Sequence, residues 1–241
     1  MSLVDSHGAT PDRAPVPVSG ARAVAASYIG VLLFSGIVFV GAGTLAYWQG
    51  LLYLVLALWG ATLTHLLAPA GSTLAADRAR EAHAGQTWDR RLLAVYFLLN
   101  LVALLTASLD SGRYGWTGPV PVSVAVAGAG LMLLGQALFA VARRQNAFFS
   151  TTVRIQTERG HRVCDTGVYR LVRHPGYLGM LLSQLALPLV LQSYWTFIPA
   201  GLAVAVLVAR TAKEDRYLAD ELPGYRDYAR RTPGRLVPGV F

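Results

Sequence analysis

Residues that can do chemistry cluster in residues 156–177 of the chain, directly before an apolar segment. Arg173, His174, Pro175 and Tyr177 follow one another closely there. Pro175 suits the first turn of a helix, where its missing N–H costs nothing. A helix start presents free backbone N–H groups and a partial positive charge, so it can receive a ligand carboxylate, and His174 can add a directed hydrogen bond. A plain loop-to-helix turn with His174 as its cap explains these residues equally well.

Arg210 and Glu214 form a second constellation, at the end of the last apolar segment. A spacing of four residues puts both side chains on one face of a helix. At a membrane interface an arginine can bind an anionic group through two hydrogen bonds. A surface salt bridge between the two residues is the alternative.

The segment that follows, residues 221–238, combines arginines with tyrosines and prolines. A basic segment of this kind can rest on anionic lipid. Its aromatic and proline content instead indicates that it folds back over part of the molecule. No metal site is expected, because His161 and His174 have no partners at ligand spacing.

The elements that position these residues follow from composition. The chain has 241 residues, 54% hydrophobic and only 14% charged, with a mean hydropathy of +0.44. A soluble domain carries about a quarter charged residues, so this composition excludes an ordinary soluble enzyme, a disulfide scaffold and a disordered chain. Residues 23–76, 92–109, 114–142 and 175–209 contain no Asp, Glu, Lys or Arg. Uncharged apolar stretches of this length indicate transmembrane helices.

The predicted fold class is an all-α, polytopic membrane protein with about six transmembrane helices. Its last two helices form a C-terminal hairpin, accompanied by a cytoplasmic loop and tail. Residues 1–20 are predicted to be a flexible tail. The six helices are expected at roughly 23–47, 50–69, 91–109, 119–142, 176–193 and 195–213, with the first turn at residues 47–50.

Charge sets the expected orientation. With the N-terminus in the cytoplasm, Arg113 alone among the 21 Lys and Arg residues lies outside, as the positive-inside rule requires. We therefore expect an integral protein of a bacterial inner membrane with both termini cytoplasmic. The net charge of +8 then reflects topology, so no nucleic-acid partner is expected.

Polarity within the predicted spans is sparse, and it includes His65, Asn100, Gln136 and Gln184. Intramembrane polar groups can line a pathway. Hydrogen bonding between helices is the favoured interpretation. Because the spans offer no carboxylate relay, a proton-coupled transporter or channel is poorly supported.

The motif Arg-His-Pro-x-Tyr-x-Gly at residues 173–179, the segment Arg210-x-x-x-Glu214-Asp215 and the ending Arg-Leu-x-Pro at residues 235–238 resemble the isoprenylcysteine carboxyl methyltransferase family. The broader group includes bacterial relatives and phospholipid methyltransferases. The resemblance covers about residues 140–241. It divides the chain into four transmembrane helices within 21–142 and a catalytic region at 143–241.

The resemblance implies methyl transfer from S-adenosylmethionine to a lipophilic acceptor that enters from the membrane. Arg210 falls on the residue associated with the acceptor carboxylate, and Arg210 and Glu214 are the expected catalytic residues. Cys164 stands where an aliphatic residue is usual, so its contact is expected through the backbone. The family's cofactor contacts fall on Gln156, His161, Cys164, Tyr169, His174, Pro175, Gly176, Tyr177 and Glu214.

Two other functions fit the same residues. Membrane NADPH-dependent sterol or enone reductases share a His-Pro-x-Tyr motif, although they carry Asn where this chain has Gly176. A non-catalytic lipid-binding scaffold is the third possibility. The acceptor stays open among an isoprenylcysteine-like acid, another isoprenoid or fatty acid, and an amine lipid. An amine would need a base, for which Glu214 or His161 is the candidate. The sequence carries no signal for an oligomeric state.

Overall fold

The computed structural model describes residues 20–68 and 85–239. In this part of the chain every regular element is helical, which confirms the predicted all-α class. The tail predicted before residue 20, and the basic residues Arg13, Arg78 and Arg80, lie outside the described residues. The α-helices are α1 (Gly20–Ala42), α2 (Trp48–Leu66), α3 (Thr87–Ala107), α4 (Val122–Gln145), α5 (Pro175–Val190), α6 (Phe197–Glu221) and α7 (Tyr225–Arg231).

Four helices are long and apolar enough to cross a membrane. They are α1 from Val24 onward, α2, α3 with the π-helical turn Ser108–Tyr114 that continues it, and α4. Many of their large apolar side chains point outward, among them Leu33, Val40 and Leu134. Such exposure is favourable against lipid and unfavourable against water. The protein is an integral membrane protein.

The last two predicted spans form the expected hairpin, α5 and α6. Helix α5 has 16 residues, which is about 24 Å of helix and short for a complete span. Helix α6 is apolar over residues 197–209 and continues as a charged helix to Glu221. Four of six predicted spans are therefore confirmed, and membrane crossing by α5 and α6 stays a prediction.

Two predicted boundaries were wrong. Helix α1 ends at Ala42, because Gly43 adopts a left-handed backbone with φ of 71°, and α2 already begins at Trp48. The first turn is thus residues 43–47 and not 47–50. Helix α6 does not end near residue 213, since its charged last turns pack against the loop and tail described below.

Close packing between α4 and α5 fixes the position of α5 against α4. A Cβ atom built on Gly135 would lie 2.6 Å from the carbonyl oxygen of Gly179, and one on Gly128 would lie 2.7 Å from Cβ of Leu189. Only glycine permits the two backbones to approach this closely.

We call the end of the bundle that carries residues 146–174 and α7 the loop end, and the opposite end the far end. At the far end the buried carboxylate of Asp110 accepts hydrogen bonds from the Thr117 backbone N–H (2.7 Å), from Ser193 Oγ (2.6 Å) and from the Thr117 hydroxyl. These bonds join the segment after α3 to the turn between α5 and α6.

Candidate cofactor and acceptor site

A cavity of about 630 Å³ opens at the loop end. Its wall includes loop residues such as Phe148 and, farther along the helices, Tyr53, Gly60 and Gln136. The loop and the membrane helices therefore line the same cavity. The cavity brings together eight of the ten predicted site residues: His161, Cys164, Tyr169, His174, Gly176, Tyr177, Arg210 and Glu214.

The two other predicted residues do not line the cavity. The Gln156 amide donates to the carbonyl oxygen of Phe148 (2.8 Å) and accepts from Arg159 (2.6 Å). Gln156 therefore stabilises the loop through hydrogen bonds and does not line the cavity. Pro175 occupies the first turn of α5, as predicted, and is buried.

The loop places His161 through a tight turn. Gly160 adopts a left-handed backbone with φ of 63°, and the Gln156 backbone N–H then donates to Nδ1 of His161 (3.2 Å). The His161 ring stacks on Phe148 with centroids 4.5 Å apart. Burial, together with the positive charges of Arg154 and Arg159, lowers the pKa of His161. The loop therefore favours the neutral imidazole, whose Nδ1 accepts a hydrogen bond.

Cys164 and Tyr169 line the same side of the cavity. The Cys164 thiol donates to the carbonyl oxygen of Gln145 at 3.6 Å, and burial raises its pKa, so it stays protonated at neutral pH. The Tyr169 hydroxyl donates to the carbonyl oxygen of Ala142 (3.2 Å), and burial raises its pKa too. Both groups tie the loop to the end of α4.

Tyr177 lies between the two predicted catalytic residues. The Arg210 guanidinium carbon is 5.1 Å from the centroid of the Tyr177 ring, a cation–π distance. The Tyr177 hydroxyl donates to Glu214 at 2.5 Å. Arg210 and Glu214 both line the cavity from α6, as their spacing predicted. The alternative of a surface salt bridge between them was wrong, because each bonds to another helix.

The partner of Arg210 is Asp89, which the sequence analysis did not identify. Asp89 is fully buried in the first turn of α3, and Arg210 is only 4% exposed. Arg210 donates to Asp89 through Nε (2.6 Å) and Nη2 (3.2 Å), and Nη2 also donates to the carbonyl oxygen of Thr151 (2.7 Å). Asp89 further accepts from the Val153 backbone N–H (2.9 Å). One ion pair thus joins α3, α6 and the loop.

A lone carboxylate at the start of an apolar helix was the available signal for Asp89. Asp89 follows Trp88 and precedes two arginines, just before the charge-free stretch that begins at residue 92. An acid in the first turn also suits the helix dipole. Sequence alone offers no means of pairing it with a residue 121 positions away.

Asp215 organises the remainder of the loop end. Its carboxylate accepts from Arg173 through Nε (2.8 Å) and Nη2 (3.0 Å), from Arg235 Nε (2.9 Å) and from the Tyr225 hydroxyl (2.8 Å). Nε2 of His174 lies 3.2 Å from the same carboxylate. His174 is the N-cap residue of α5, as expected, but its side chain makes no capping hydrogen bond, and Asp215 orients its ring instead.

Hydrogen bonds determine the protonation state of this cluster. Burial alone would raise the pKa of Asp215, but hydrogen bonds from His174, Arg173 and Arg235 outweigh burial and hold the pKa well below its usual range. Burial and the charge of Asp215 raise the pKa of Tyr225, whose hydroxyl stays a donor. Asp215 lies in the segment at residues 210–215 that carries the family resemblance, but the resemblance implies no role for it.

The C-terminal segment folds back over the loop, as its composition predicted. The Arg173 backbone N–H donates to the carbonyl oxygen of Gly234 (2.9 Å), and that of His174 to the carbonyl oxygen of Arg235 (3.0 Å). The Arg173 side chain also donates to the carbonyl oxygen of Thr232 (2.8 Å). The segment is thereby hydrogen-bonded to the two residues that precede α5.

Comparison with known proteins agrees with this architecture. The model of the isoprenylcysteine carboxyl methyltransferase (ICMT) family matches residues 125–220, from within α4 to the end of α6. The cobalt-zinc-cadmium resistance protein CzcN of Cupriavidus metallidurans is 30% identical over 171 residues, which cover 68% of each chain. The Delta(14)-sterol reductase TM7SF2 of Mus musculus is 31% identical over 90 residues, or 36% of this chain and 22% of that protein.

The membrane helices and the family match define an integral membrane methyltransferase, in which loop and tail fold around a cavity between the helices. The chain belongs to the isoprenylcysteine carboxyl methyltransferase family. Across residues 20–68 and 85–239, no group of three or more His, Cys, Asp or Glu residues could hold a metal ion.

Proposed function

We propose that the protein transfers a methyl group from S-adenosylmethionine to a lipophilic acceptor, most directly the carboxylate of an isoprenylcysteine-like or other lipid acid. One observation carries the proposal. The cavity lined by eight of the family-derived site residues is also lined by α1, α2 and α4, whose outer faces suit lipid. A water-soluble cofactor and a lipid can therefore meet in one space.

The residues on the cavity wall suit this cofactor. S-adenosylmethionine combines a cationic sulfonium and ammonium with an aromatic base. Glu214 offers a carboxylate to a cationic group, and the stacked pair of Phe148 and His161 offers an aromatic face. Tyr169 and His174 supply polar groups on the same wall. When bound, the cofactor supplies an electrophilic methyl group.

The role of the chain is to position the acceptor and exclude water. A lipid carboxylate is ionised at neutral pH, so it needs no general base. Arg210 Nη1 makes no hydrogen bond to the described residues, so it remains able to donate to an acceptor carboxylate. Because Asp89 already offsets the Arg210 charge, the acceptor is held without losing much of its nucleophilicity. Alignment in a dry site then lowers the barrier.

We also propose that the loop end faces the cytoplasm of a bacterial cell, with both termini on that side. Among the described residues the loop end holds most of the arginines, whereas Arg113 lies at the far end. This is the asymmetry that the positive-inside rule describes. Cysteine-accessibility labelling of Cys164 against a cysteine introduced at Gly115 tests the orientation.

Parallel calorimetric titrations of the detergent-purified protein with S-adenosylmethionine and with NADPH test the class of reaction. Micromolar affinity for S-adenosylmethionine without NADPH binding is expected, followed by labelled methyl transfer into lipid extracts. In Arg210→Lys, which keeps the charge but loses the planar fork, turnover should fall while cofactor affinity is largely kept. Loss of cofactor binding alone would contradict the role given to Arg210.

A membrane reductase is the second candidate, and the similarity to the mouse Delta(14)-sterol reductase favours it. In that case His174 and Tyr177 would contact a nicotinamide cofactor. NADPH binding without S-adenosylmethionine binding in the same titrations would establish this alternative. Binding of neither would favour the lipid-binding scaffold.

A further inference from the structure

Two glutamines in the membrane part of the cavity have unmet hydrogen-bonding capacity. Gln184 on α5 is 3% exposed, and its Nε2 is buried and has no partner among the described residues. Gln136 on α4 has the same feature at Oε1. Both residues line the cavity. Leaving a buried polar atom unpaired is costly, and more so where no water competes.

Each of these amides uses its other atom to bridge helices. Gln136 Nε2 donates to the carbonyl oxygen of Leu56 on α2 (3.0 Å), and Gln184 Oε1 accepts from the Tyr96 hydroxyl on α3 (3.4 Å). Hydrogen bonding between helices, the interpretation favoured from sequence, therefore accounts for one polar atom of each amide: Nε2 of Gln136 and Oε1 of Gln184. The remaining two atoms, the donor Gln184 Nε2 and the acceptor Gln136 Oε1, are buried and have no partner among the described residues, and both belong to residues that line the cavity.

The two unpaired atoms belong to neighbouring levels of the bundle. Gly135 packs directly against Gly179 and Ser183, so Gln136 and Gln184 follow residues that touch each other. Gln184 lies seven residues after Tyr177, which is about 10 Å along α5. Gln184 therefore lies about 10 Å farther from the loop end than Tyr177, and Gln136 lies at a neighbouring level of the bundle.

We propose that Gln184 and Gln136 form a binding subsite for a neutral group that both accepts and donates a hydrogen bond, such as a secondary amide or a hydroxyl. The ligand is a single-chain amphiphile carrying this group about 10 Å from the end that lies beside Tyr177. The identity of that end as the methyl acceptor rests on the proposed function. The subsite itself rests on the two unpaired amide atoms.

Three probes of equal chain length separate the two hydrogen bonds. N-methyldodecanamide can accept and donate, methyl dodecanoate can only accept, and tetradecane can do neither. Their occupancy at equal mole fraction in nanodiscs is measured by native mass spectrometry. The amide should exceed the ester and the ester the alkane, each step by a few-fold, which is what one net neutral hydrogen bond contributes.

Substitutions assign each bond to its residue. Gln184→Leu should abolish the preference for ester over alkane, and Gln136→Leu the preference for amide over ester. Gln49→Leu makes the same change at the far end, where the side chain bonds to Gln192, and should leave both ratios unchanged. Gln184→Met and Gln136→Met repeat the test if a branched side chain disturbs folding.

Equal occupancy of the three probes in the wild type would overturn the proposal and assign the unpaired atoms to water. Unchanged ratios in both leucine variants would do the same. Titration of each variant with S-adenosylmethionine separates this inference from the proposed function. Probe discrimination without cofactor binding would contradict the methyltransferase and leave the subsite standing.

Discussion

The two ends of the molecule use buried aspartates differently. At the far end, Asp110 accepts from neutral donors, the Thr117 backbone N–H and the Ser193 hydroxyl, and fastens one turn to another. At the loop end, Asp89 and Asp215 accept from arginines. Each of these two aspartates also holds a residue of the cavity wall, Arg210 and His174 respectively.

The difference shows how burial alone misleads. All three carboxylates are 6% exposed or less, so exposure does not separate a structural residue from one that orients a site. The partner does. Neutral donors satisfy a carboxylate with little long-range consequence, whereas an ion pair fixes the position of a charged group that a ligand can use.

The strongest test of this contrast is Asp215→Asn. The change leaves Arg173 and Arg235 without a counter-charge, and removing one partner of a buried ion pair costs about 3–5 kcal/mol of unfolding free energy. S-adenosylmethionine affinity should fall with it, because His174 loses its orientation. Thermal unfolding in detergent and calorimetry measure the two effects. Asp227→Asn, which removes an exposed pairing with Arg230, should change neither.

The pH dependence of the same variant gives a second readout. Because the folded pKa of Asp215 lies below its usual value, its stabilising contribution is present above about pH 3.9 and is lost as the pH falls toward the folded pKa. The difference in unfolding free energy between wild type and Asp215→Asn should therefore shrink below pH 4. A constant difference down to pH 3 would contradict the assignment.

The next effect concerns Asp89. Asp89→Asn should lower turnover more than cofactor affinity and should destabilise the protein by a few kcal/mol, because Arg210 stays buried without its partner. In Asp89→Asn/Arg210→Gln both charges are gone, so much of the stability should return while turnover stays low. A double-mutant cycle measures the coupling. Additive losses would mean that the pair does not act as one unit.

A smaller effect is expected at the far end. Asp110→Asn keeps an acceptor oxygen for one donor and should cost about 1–3 kcal/mol of unfolding free energy. Turnover per folded molecule and S-adenosylmethionine affinity should not change, because Asp110 does not line the cavity. A fall in cofactor affinity as large as that of Asp215→Asn would abolish the contrast between the two ends.

At the loop end, the sequence predicted which residues belong to the site better than it predicted the contacts between them. The charge-free stretches predicted six membrane helices, of which four are confirmed, and the family resemblance predicted eight residues that line one cavity. Local composition determines the first prediction, and motifs shared with the family determine the second. The partners Asp89 and Asp215 depend on which helices and loop segments pack together, and pairings across 121 and 42 positions leave no local signal in the sequence.

The smallest expected effect is a difference between the two ends in how hydrogen exchange responds to pH near neutrality. His161 accepts the Gln156 backbone N–H through Nδ1, and protonation of that atom ends the hydrogen bond. Since the folded pKa of His161 is below its usual value, the loop is stabilised above about pH 6.5 and loses this stabilisation as the pH falls toward the folded pKa. Hydrogen exchange of residues 156–161 should therefore speed up between pH 7.5 and 5.5, after correction for intrinsic rates. Exchange around Asp110 should not.

His161→Phe provides the control, because phenylalanine keeps the stacking on Phe148 but cannot titrate. In this variant the loop should exchange faster at pH 7.5 and show little further change on acidification. S-adenosylmethionine affinity should follow the same pattern if His161 lies on the cofactor wall. An equal acid response at both ends, or in both proteins, would mean that His161 does not control the loop. The distinction between the two ends would then rest on ion pairing alone.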